Sequence, residues 1–292
     1  MSLPARTHGL MERSLAVFSG WQVGPTARQT ELQRRGLFGS LSSVRGAELG
    51  EVEMSTLAWI CQEWWEHGSP KNGVVRFTWY RLGRDLWPEK HDSGSRYREM
   101  AQQAVDNLMA AIVTLGGFSV HNGEWSNELA SDVHILRTIV RNRGKNPNPT
   151  LDGGLREDTV EVRLEDWLMA QLLGDVGFFA DWEVERSLGG AAKRLWYYLG
   201  GRADAFSAGA FPGEEVCTLR VDADLFDSLD LNAQRPSSNR ATVKRAGQRI
   251  ESVDPRYSRV VIEKDPDERG AFRLRAVRKT ADAVAAELVA AA

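Results

Sequence analysis

Residues 187–279 combine two kinds of spacing between apolar and polar positions. Apolar residues at intervals of three and four indicate amphipathic helices, whereas strict alternation indicates half-buried strands. These patterns predict an amphipathic helix at Ser187–Gly200, a strand at Glu215–Val221, a short helix at Asp222–Leu229, a longer basic helix at Ser237–Ser252 and a two-stranded ribbon at Arg256–Lys279. The ribbon is predicted to turn at the polar segment Lys264–Gly270. This order is that of a winged helix-turn-helix.

The first half of the chain predicts a similar order of elements. The predicted elements are a helix at Met54–Glu66, a strand at Val74–Phe77, a helix at Thr78–Leu86, a long helix at Ser95–Leu115 and strands at Phe118–Glu124 and His134–Arg141. Thr78 is placed to cap its helix, and Gly116 and Gly117 are placed to end the long one. The tryptophans of this half are most simply explained as core residues. The sequence therefore predicts an α+β protein of two tandem winged-helix domains with an N-terminal arm.

Four regions are predicted along the chain. They are an N-terminal arm at 1–50, a first winged helix at 51–148, a second winged helix at 155–280 and an alanine-rich tail at 281–292. The arm is predicted to be partly helical around Glu12–Phe18 and Thr26–Arg35. The polar segment Arg143–Gly154 is predicted to be a linker or exposed loop. Val160–Leu164 is then the predicted first strand of the second domain, and Asp166–Leu173 a short helix after it. The tail is predicted to be a weak terminal helix.

Charge is segregated along the chain, although the net charge is only −3. Residues 235–279 carry thirteen Lys or Arg against six acids, a net of +7. Residues 150–234 carry seventeen acids against seven bases, a net of −10. Such segregation lets one face attract phosphate while the whole protein stays near neutral. The alternative is an ordinary solvated basic surface.

The basic helix at Ser237–Ser252 carries the candidate DNA-reading residues. Its inward stripe is predicted to be Val243, Ala246 and Ile250, with Ser237 or Ser238 as the cap. The side chains that suit base edges and phosphates are Asn239, Arg240, Thr242, Lys244, Arg245, Gln248 and Arg249. We predict that Asn239, Arg240 and Lys244 read bases, because the N-terminal part of a recognition helix meets the bases. The other candidates read a base or hold phosphate. The alternative is an amphipathic surface helix with a basic face.

The ribbon and the first domain add candidates for contact with the DNA backbone. The wing residues predicted to touch phosphates or a minor groove are Arg256, Arg259, Lys264, Arg269, Arg273 and Arg275. The strand residues predicted to pack inward are Val260, Ile262, Phe272 and Leu274. In the first domain, Arg96 and Arg98 lie at the start of the long helix. They are predicted to contact DNA backbone or, equally well, to form a dimer interface.

The sequence carries no recognisable motif for catalysis, metal or cofactor binding. It has no P-loop spacing, no His-x-His pair, no His-Glu-x-x-His and no Cys-x-x-Cys. Its two cysteines are predicted to be buried thiols in a reducing compartment. We therefore expect a protein that is not an enzyme; the alternative is an active site assembled from distant residues. With 42% hydrophobic residues, and neither a membrane-spanning run nor a secretory signal, a cytoplasmic protein is expected.

Several segments resemble plasmid replication initiators of the iteron-binding family, which have two winged-helix domains. Ala191–Leu199, which contains Lys-Arg-Leu-Trp-Tyr-Tyr-Leu, resembles their Lys-Arg-Leu-Tyr-x-x-Leu helix. Arg240–Ile250 resembles their basic helix, and Asp254–Tyr257 resembles the Asp-Pro-Arg-Tyr turn before their hairpin. The helix that begins near Tyr97 is similar to the one before their first wing. The resemblance covers roughly Met54–Lys279, and the arm and tail depart from it.

The resemblance implies a protein that binds short repeats in double-stranded DNA at a plasmid origin, with both winged helices on one face of the duplex. It implies that the second domain reads the major groove and that the first mediates dimerisation of the inactive form. It also implies that the protein bends or melts DNA and recruits a host initiator and helicase. Two alternatives remain, a winged-helix transcriptional repressor or partition protein, and a winged-helix module that binds protein instead of DNA.

Overall fold

The protein forms two compact units in the computed structural model. The structure describes residues 8–12, 15, 21–22, 40–45, 49–88, 95–116, 120–121, 124–125, 131–142, 159–173, 177–202, 205–280 and 282–284. The first unit consists of residues 1–15 and 24–182, and the second of residues 16–23 and 183–292. Both are mixed α+β structures with antiparallel strand pairs.

Among its described residues, the first unit contains four helices and eleven strands. Its helices are α1 (Glu51–Glu66), α2 (Trp79–Leu86), α3 (Ser95–Ala110) and α4 (Asp166–Leu173). Its strands are β1 (His8–Glu12), β3 (Ser40–Arg45), β4 (Leu49–Gly50), β5 (Val74–Thr78), β6 (Ile112–Gly116), β7 (Val120–His121), β8 (Glu124–Trp125), β9 (Ser131–His134), β10 (Leu136–Asn142), β11 (Thr159–Leu164) and β12 (Gly177–Asp181). They pair in the orders β10-β11-β5, β3-β6-β9, β1-β12 and β7-β8.

The core of the first unit surrounds α1, which is buried at every position from Met54 to Trp64. A helix buried on all sides belongs to the interior of a domain. The indole N–H of Trp59 donates to Asp85 of α2 at 3.0 Å, and the ring of Phe77 meets that of Trp59 edge-on. The predicted α1, β5 and α2 are confirmed. Thr78 caps α2 as predicted, because its hydroxyl accepts the N–H of Arg81 at 3.1 Å.

The end of the long helix was predicted wrongly. Helix α3 ends at Ala110, and Ile112–Gly116 forms β6 instead of the last helical turn. Strand β6 lies between β3 and β9, and pairs with both. The β-branched residues Ile112, Val113 and Thr114 favour this arrangement, since such side chains pack well on a pleated sheet.

Two further corrections concern the arm and the start of the second domain. Residues assigned to a separate arm form sheet strands of the first unit, because β1 pairs with β12 and β3 with β6. Glu12 ends β1, and the helix predicted at Thr26–Arg35 lies outside the described residues. Val160–Leu164 is a strand as predicted, but it pairs with both β5 and β10 inside the first unit. The predicted linker also lies outside the described residues.

The second unit contains the helix, strand, helix, helix and ribbon that the sequence predicts. Its elements are β2 (Trp21–Gln22), α5 (Trp182–Ser187, which begins at the last residue of the first unit), α6 (Gly190–Gly201), β13 (Phe206–Ala208), β14 (Glu214–Arg220), α7 (Ala223–Ser228), α8 (Pro236–Val253), β15 (Tyr257–Lys264) and β16 (Phe272–Lys279). The last four strands form a sheet in the order β13-β14-β16-β15. The ribbon β15–β16 thus joins the sheet through β16. Of the tail, residues 282–284 are helical.

Helix α6 anchors the second unit. Arg194 is fully buried and donates to the carbonyl oxygen of Ser228, the last residue of α7, at 2.7 Å. A cation at this end of a helix satisfies carbonyl groups that the helix leaves unpaired. Lys193 forms a buried ion pair with Glu185 of α5, with 2.7 Å between nitrogen and oxygen. These contacts fix α5 and α7 against α6.

Helix α8 packs against both α6 and β15. The approach to β15 is close at Gly247, where an added Cβ would overlap the carbonyl oxygen of Val260. Only glycine therefore allows α8 to lie at this distance from the ribbon. This packing directs the opposite side of α8 toward solvent, where the candidate residues lie.

Candidate nucleic-acid interface

Helix α8 begins differently from the prediction at its first turn. Its N-cap is Arg235, and Pro236 is the first helical residue, a position at which proline costs no hydrogen bond. Ser237 and Ser238 lie inside the first turn, and no side chain caps the helix. The prediction that one of these serines caps α8 is therefore wrong. Both serines are exposed at the N-terminal end of the helix.

The inward stripe of α8 was predicted correctly. Val243 and Ile250 are fully buried, and Ala246 is 4% exposed. Asn239 falls on the same stripe, because it precedes these residues by four, seven and eleven positions. It is only 6% exposed, and its amide donates to the carbonyl oxygen of Asn232 at 2.7 Å. The prediction that Asn239 reads a base is wrong, since the side chain closes the turn between α7 and α8.

The outer stripe of α8 consists of five exposed residues, Ser237, Ala241, Lys244, Arg245 and Gln248. No acidic residue occurs between Ser237 and Arg249. The guanidinium of Arg245 reaches back along the helix, where it lies 3.4 Å from the hydroxyl of Thr242. That hydroxyl donates to the carbonyl oxygen of Ser238 at 3.1 Å, so Thr242 is half-buried against its own helix. Apart from Ala241, the outer stripe consists of polar or positively charged side chains, which suit the acceptors of a major groove.

The two flanks of the outer stripe end in arginines with different contacts. On the ribbon side, the Cζ atom of Arg240 lies 4.4 Å from the centre of the Phe272 ring of β16. On the other side, exposed Arg249 donates to the carbonyl oxygen of Ser187 at 2.9 Å. Ser187 ends α5, so this contact again places a cation at a helix C-terminus. Arg249 therefore has a structural partner, whereas Arg240 remains at the border of the exposed surface.

Arg256 does not belong to the exposed wing as predicted. Its guanidinium grips Asp254, with donor–acceptor distances of 2.9 Å from Nε and 2.7 Å from Nη2. The indole N–H of Trp196 donates to the same carboxylate at 2.7 Å. Burial raises the pKa of Asp254, but the hydrogen bonds and charge of Arg256 outweigh it and hold that pKa below its usual value. This cluster joins the end of α8 to the start of β15.

Three arginines of the ribbon strands lie on the face of the ribbon that points away from α8. Successive strand residues point to opposite faces, and the side chain of Val260 meets α8 at Gly247. Leu274 is buried on the same face, whereas Ile262 and Phe272, also predicted as core, are only half-buried. By the same alternation, the residues on the face away from α8 are Arg259, Arg273 and Arg275. Arg273 there forms an ion pair with Glu263 at 2.7 Å.

The turn of the ribbon is nearly balanced in charge. Lys264 and Arg269 are exposed at this turn, which also holds Asp265, Asp267 and Glu268. Glu268 in turn pairs with Arg220 of β14 at 2.8 Å. Lys264 lies on the α8 face of the ribbon, opposite Phe272 in the register. Lys264 is therefore the wing cation that extends the surface formed by the outer stripe and Arg240.

The first-unit candidates lie at the beginning of α3. Arg96 and Arg98 are exposed in its first turns. Their predicted contact with DNA backbone or with a second copy stays a prediction. The adjacent tyrosines Tyr197 and Tyr198 pack inside the second unit, as the sequence predicts, and burial raises the pKa of both hydroxyls.

The overall fold resembles that of a known protein. A crystal structure of the selenomethionine derivative of domains 2 and 3 of RctB matches with a TM-score of 0.51 and 12% sequence identity, over 91% of this chain and 97% of that chain. A second crystal structure of RctB domains 2–3 covers the same shares at 13% identity, with a TM-score of 0.49. No protein-family model and no curated protein matches the sequence. The chain therefore shares a fold with RctB domains 2 and 3, across both of its units.

Two other kinds of feature are absent from the described part of the chain. None of its helices is long and apolar enough to cross a membrane. Within the same residues, no group of three or more His, Cys, Asp or Glu side chains could hold a metal ion. In the second unit, the outer stripe of α8 together with Arg240 and Lys264 combines positive charge with a rigid support.

Sequence reasoning missed two features of this surface. The burial of Asn239 had a signal, since the residue continues the period of Val243, Ala246 and Ile250. The contact of Phe272 with Arg240 had none, because the two residues lie in different elements and meet only in the folded unit.

Proposed function

We propose that the second unit is a winged-helix domain that binds double-stranded DNA with α8 in the major groove. Its order, with α6, β14, α7 and α8 followed by the ribbon, is that of a winged helix-turn-helix, and the ribbon joins β14 through β16. The observation that carries the proposal is the outer stripe of α8. It is exposed, basic and free of acids, while the other side of the helix is fixed against a core.

We further propose that the chain is an initiator of DNA replication. RctB, whose domains 2 and 3 share its fold, is a replication initiator. The resemblance of Ala191–Leu199 and Asp254–Tyr257 to iteron-binding plasmid initiators supports the same role. The resemblance to these plasmid initiators also favours binding to repeated sites at an origin. Dimerisation, recruitment of a host initiator and helicase, and a cytoplasmic, nucleoid-associated location are parts of the same proposal.

The first unit is proposed as a second winged helix that contacts DNA backbone or a second copy of the chain. Helix α1, strand β5, helices α2 and α3, and the β6–β9 pair follow one another in the expected order. One difference is that β5 pairs with β11 and not with this ribbon. Its proposed role therefore rests on element order and on the exposed Arg96 and Arg98.

Selection of bound duplexes from a random pool tests the DNA-binding proposal. We expect enrichment of one motif of roughly 10–20 base pairs, within the range of specific sites for such modules. A pool that shows no enrichment with the full-length protein would remove sequence-specific DNA binding and favour a protein-binding module.

A retention assay then separates an initiator from a repressor or partition protein. The selected repeats are placed on a plasmid that lacks any other origin, and the protein is expressed in the same cells. An initiator maintains this plasmid, whereas a repressor that binds the same motif does not. Loss of the plasmid in every tested host, despite tight binding in vitro, would favour the repressor or partition role.

A further inference from the structure

Arg240 is held by an aromatic ring on one strand and by a hydroxyl on its own helix. Its Cζ atom lies 4.4 Å from the centre of the Phe272 ring, and its Nη2 donates to the hydroxyl of Ser237 at 3.2 Å. A guanidinium within about 6 Å of an aromatic ring centre is held by a cation–π attraction. The contact joins α8 to β16. It lies beside the outer stripe, and both side chains are half-buried.

We propose that Phe272 is a positioning residue that fixes Arg240 to recognise a guanine in the major groove. This inference rests on the proposed function of the second unit. The Cζ atom of the guanidinium lies over the ring, and of its five N–H donors one is used by Ser237. Guanine presents two acceptors, O6 and N7, on its major-groove edge, and arginine pairs with both through two parallel hydrogen bonds.

Arg256 and Arg278 each form an ion pair with a carboxylate, whereas Arg240 does not do so within the described residues. Arg256 grips Asp254, and Arg278 lies 2.8 Å from Glu215. Among the residues that the structure describes, no carboxylate lies within ion-pair distance of Arg240. The contact with the ring orders the guanidinium, and no carboxylate of the described residues compensates its charge. Order favours the fixed geometry of a base contact, whereas a phosphate contact tolerates a mobile side chain.

The second unit also supplies a matched control for this arrangement. The Cζ atom of Arg278 lies 3.8 Å from the centre of the Phe206 ring. Phe206 is half-buried on β13, and Arg278 is neutralised by Glu215. Replacing Phe206 with leucine therefore removes the same kind of stack, at a site outside the proposed interface.

The experiment measures binding of full-length protein to four versions of its selected duplex. The versions differ only at the base whose identity ceases to matter in Arg240→Ala. Wild type should prefer guanine there by about tenfold or more, as expected for one bidentate contact. Phe272→Leu should reduce this preference to about threefold or less and leave affinity for the other three duplexes nearly unchanged. Phe272→Tyr, which keeps the ring, and Phe206→Leu should both retain the wild-type preference.

Three results would overturn the inference while leaving DNA binding intact. They are an unchanged base preference in Phe272→Leu, an equal loss of affinity for all four duplexes, and a preferred base other than guanine. If Phe272→Leu does not fold, Phe272→Met replaces it, since the flexible side chain of methionine adapts to the space and carries no ring. Failure of wild type to select any motif would instead overturn the proposed function and the inference with it.

A measurement on the free protein checks the stack without DNA. The ring of Phe272 should shift the proton resonances of the Arg240 side chain, and this shift should persist in Phe272→Tyr and vanish in Phe272→Leu. Identical Arg240 resonances in all three proteins would show that the stack does not form, and would overturn the inference independently of any DNA result.

Discussion

Removing the carboxylate of Asp254 should destabilise the second unit by about 3 kcal/mol. The carboxylate is fully buried and accepts hydrogen bonds from Trp196 and Arg256. In Asp254→Ala the buried indole N–H loses its acceptor, which costs about 1–3 kcal/mol. Breaking a buried ion pair costs about 3–5 kcal/mol, but Arg256 is 36% exposed and regains some water, so the lower end applies.

Amide hydrogen exchange along a urea series measures this loss in the second unit separately from the first. The amides of α8 and β15 should exchange through an opening reaction whose free energy falls by the stated amount. Asp254→Asn should lose less, because the amide oxygen still accepts one of the hydrogen bonds. Asp267→Ala, at the exposed turn of the ribbon, should change the free energy by less than about 0.5 kcal/mol. A loss below about 1 kcal/mol in Asp254→Ala would refute the proposed role of the cluster.

The same carboxylate should make the stability of the second unit depend on acid. The pKa of Asp254 is lower in the folded protein than its ordinary value, so folding favours the ionised form. Its contribution is fully present above the unfolded pKa of about 3.9, and is lost as pH falls through the lower folded pKa. Asp254→Asn should lose less stability than wild type over that acid range. Parallel acid titrations of the two proteins would contradict this assignment.

Three other substitutions, with Gly83→Ala on α2 as a control, test the packing and the orientation of α8. Gly247→Ala should destabilise the second unit by about 1–3 kcal/mol, because the new methyl group meets backbone of β15. Gly83→Ala, at a helical glycine with open space around it, should be neutral or stabilise by up to about 1 kcal/mol. In DNA binding, Lys244→Ala should lower the salt slope by about one unit, and Arg275→Ala, on the far face of the ribbon, should leave it unchanged. Calorimetry and salt titrations measure these effects, and equal slopes for both variants would contradict the orientation assigned to α8.

The elements of the second unit could be predicted from sequence because their signals are local. The apolar period of α8 and the alternation of β15 and β16 depend only on neighbouring residues, and the predicted bounds lie within a few residues of the observed ones. The inward stripe followed from the same period. The first residue of α8 was misplaced because Pro236 and the serines after it are all compatible with a helix start.

Pairings between distant segments could not be predicted in the same way. The pattern of Val160–Leu164 identifies a strand, but nothing in it specifies β5, more than eighty residues earlier, as the partner. Strands β1 and β3 depend likewise on β12 and β6, which follow much later. The end of α3 was missed for a related reason. Ile112 and Val113 continue the apolar side of the helix, and only the neighbouring strands β3 and β9 make them sheet residues.

The sequence predicted the helix that carries the candidate site, but not which of its side chains are exposed together. Exposure divides its residues, because Asn239 turns inward while Lys244, Arg245 and Gln248 face solvent. Ion pairs and strand register separate the wing residues in the same way. Arg256 is paired with a buried carboxylate, whereas Lys264 lies on the α8 face of the ribbon. Sequence identifies side chains that suit DNA, but the strand register and ion pairs decide which of them share a surface.

Two arginine contacts connect α8 to the ribbon at opposite ends of the helix, and their loss should have different effects. Near its C-terminus, Arg256 and Asp254 join α8 to β15 through a buried charge pair, so their loss is felt as stability. Near its N-terminus, Arg240 and Phe272 join α8 to β16 through a half-buried stack without a carboxylate, so their loss should leave the unit folded. The first contact fixes where the helix lies, and the second fixes one side chain on it. Stability and base preference should therefore respond separately to substitutions at the two ends.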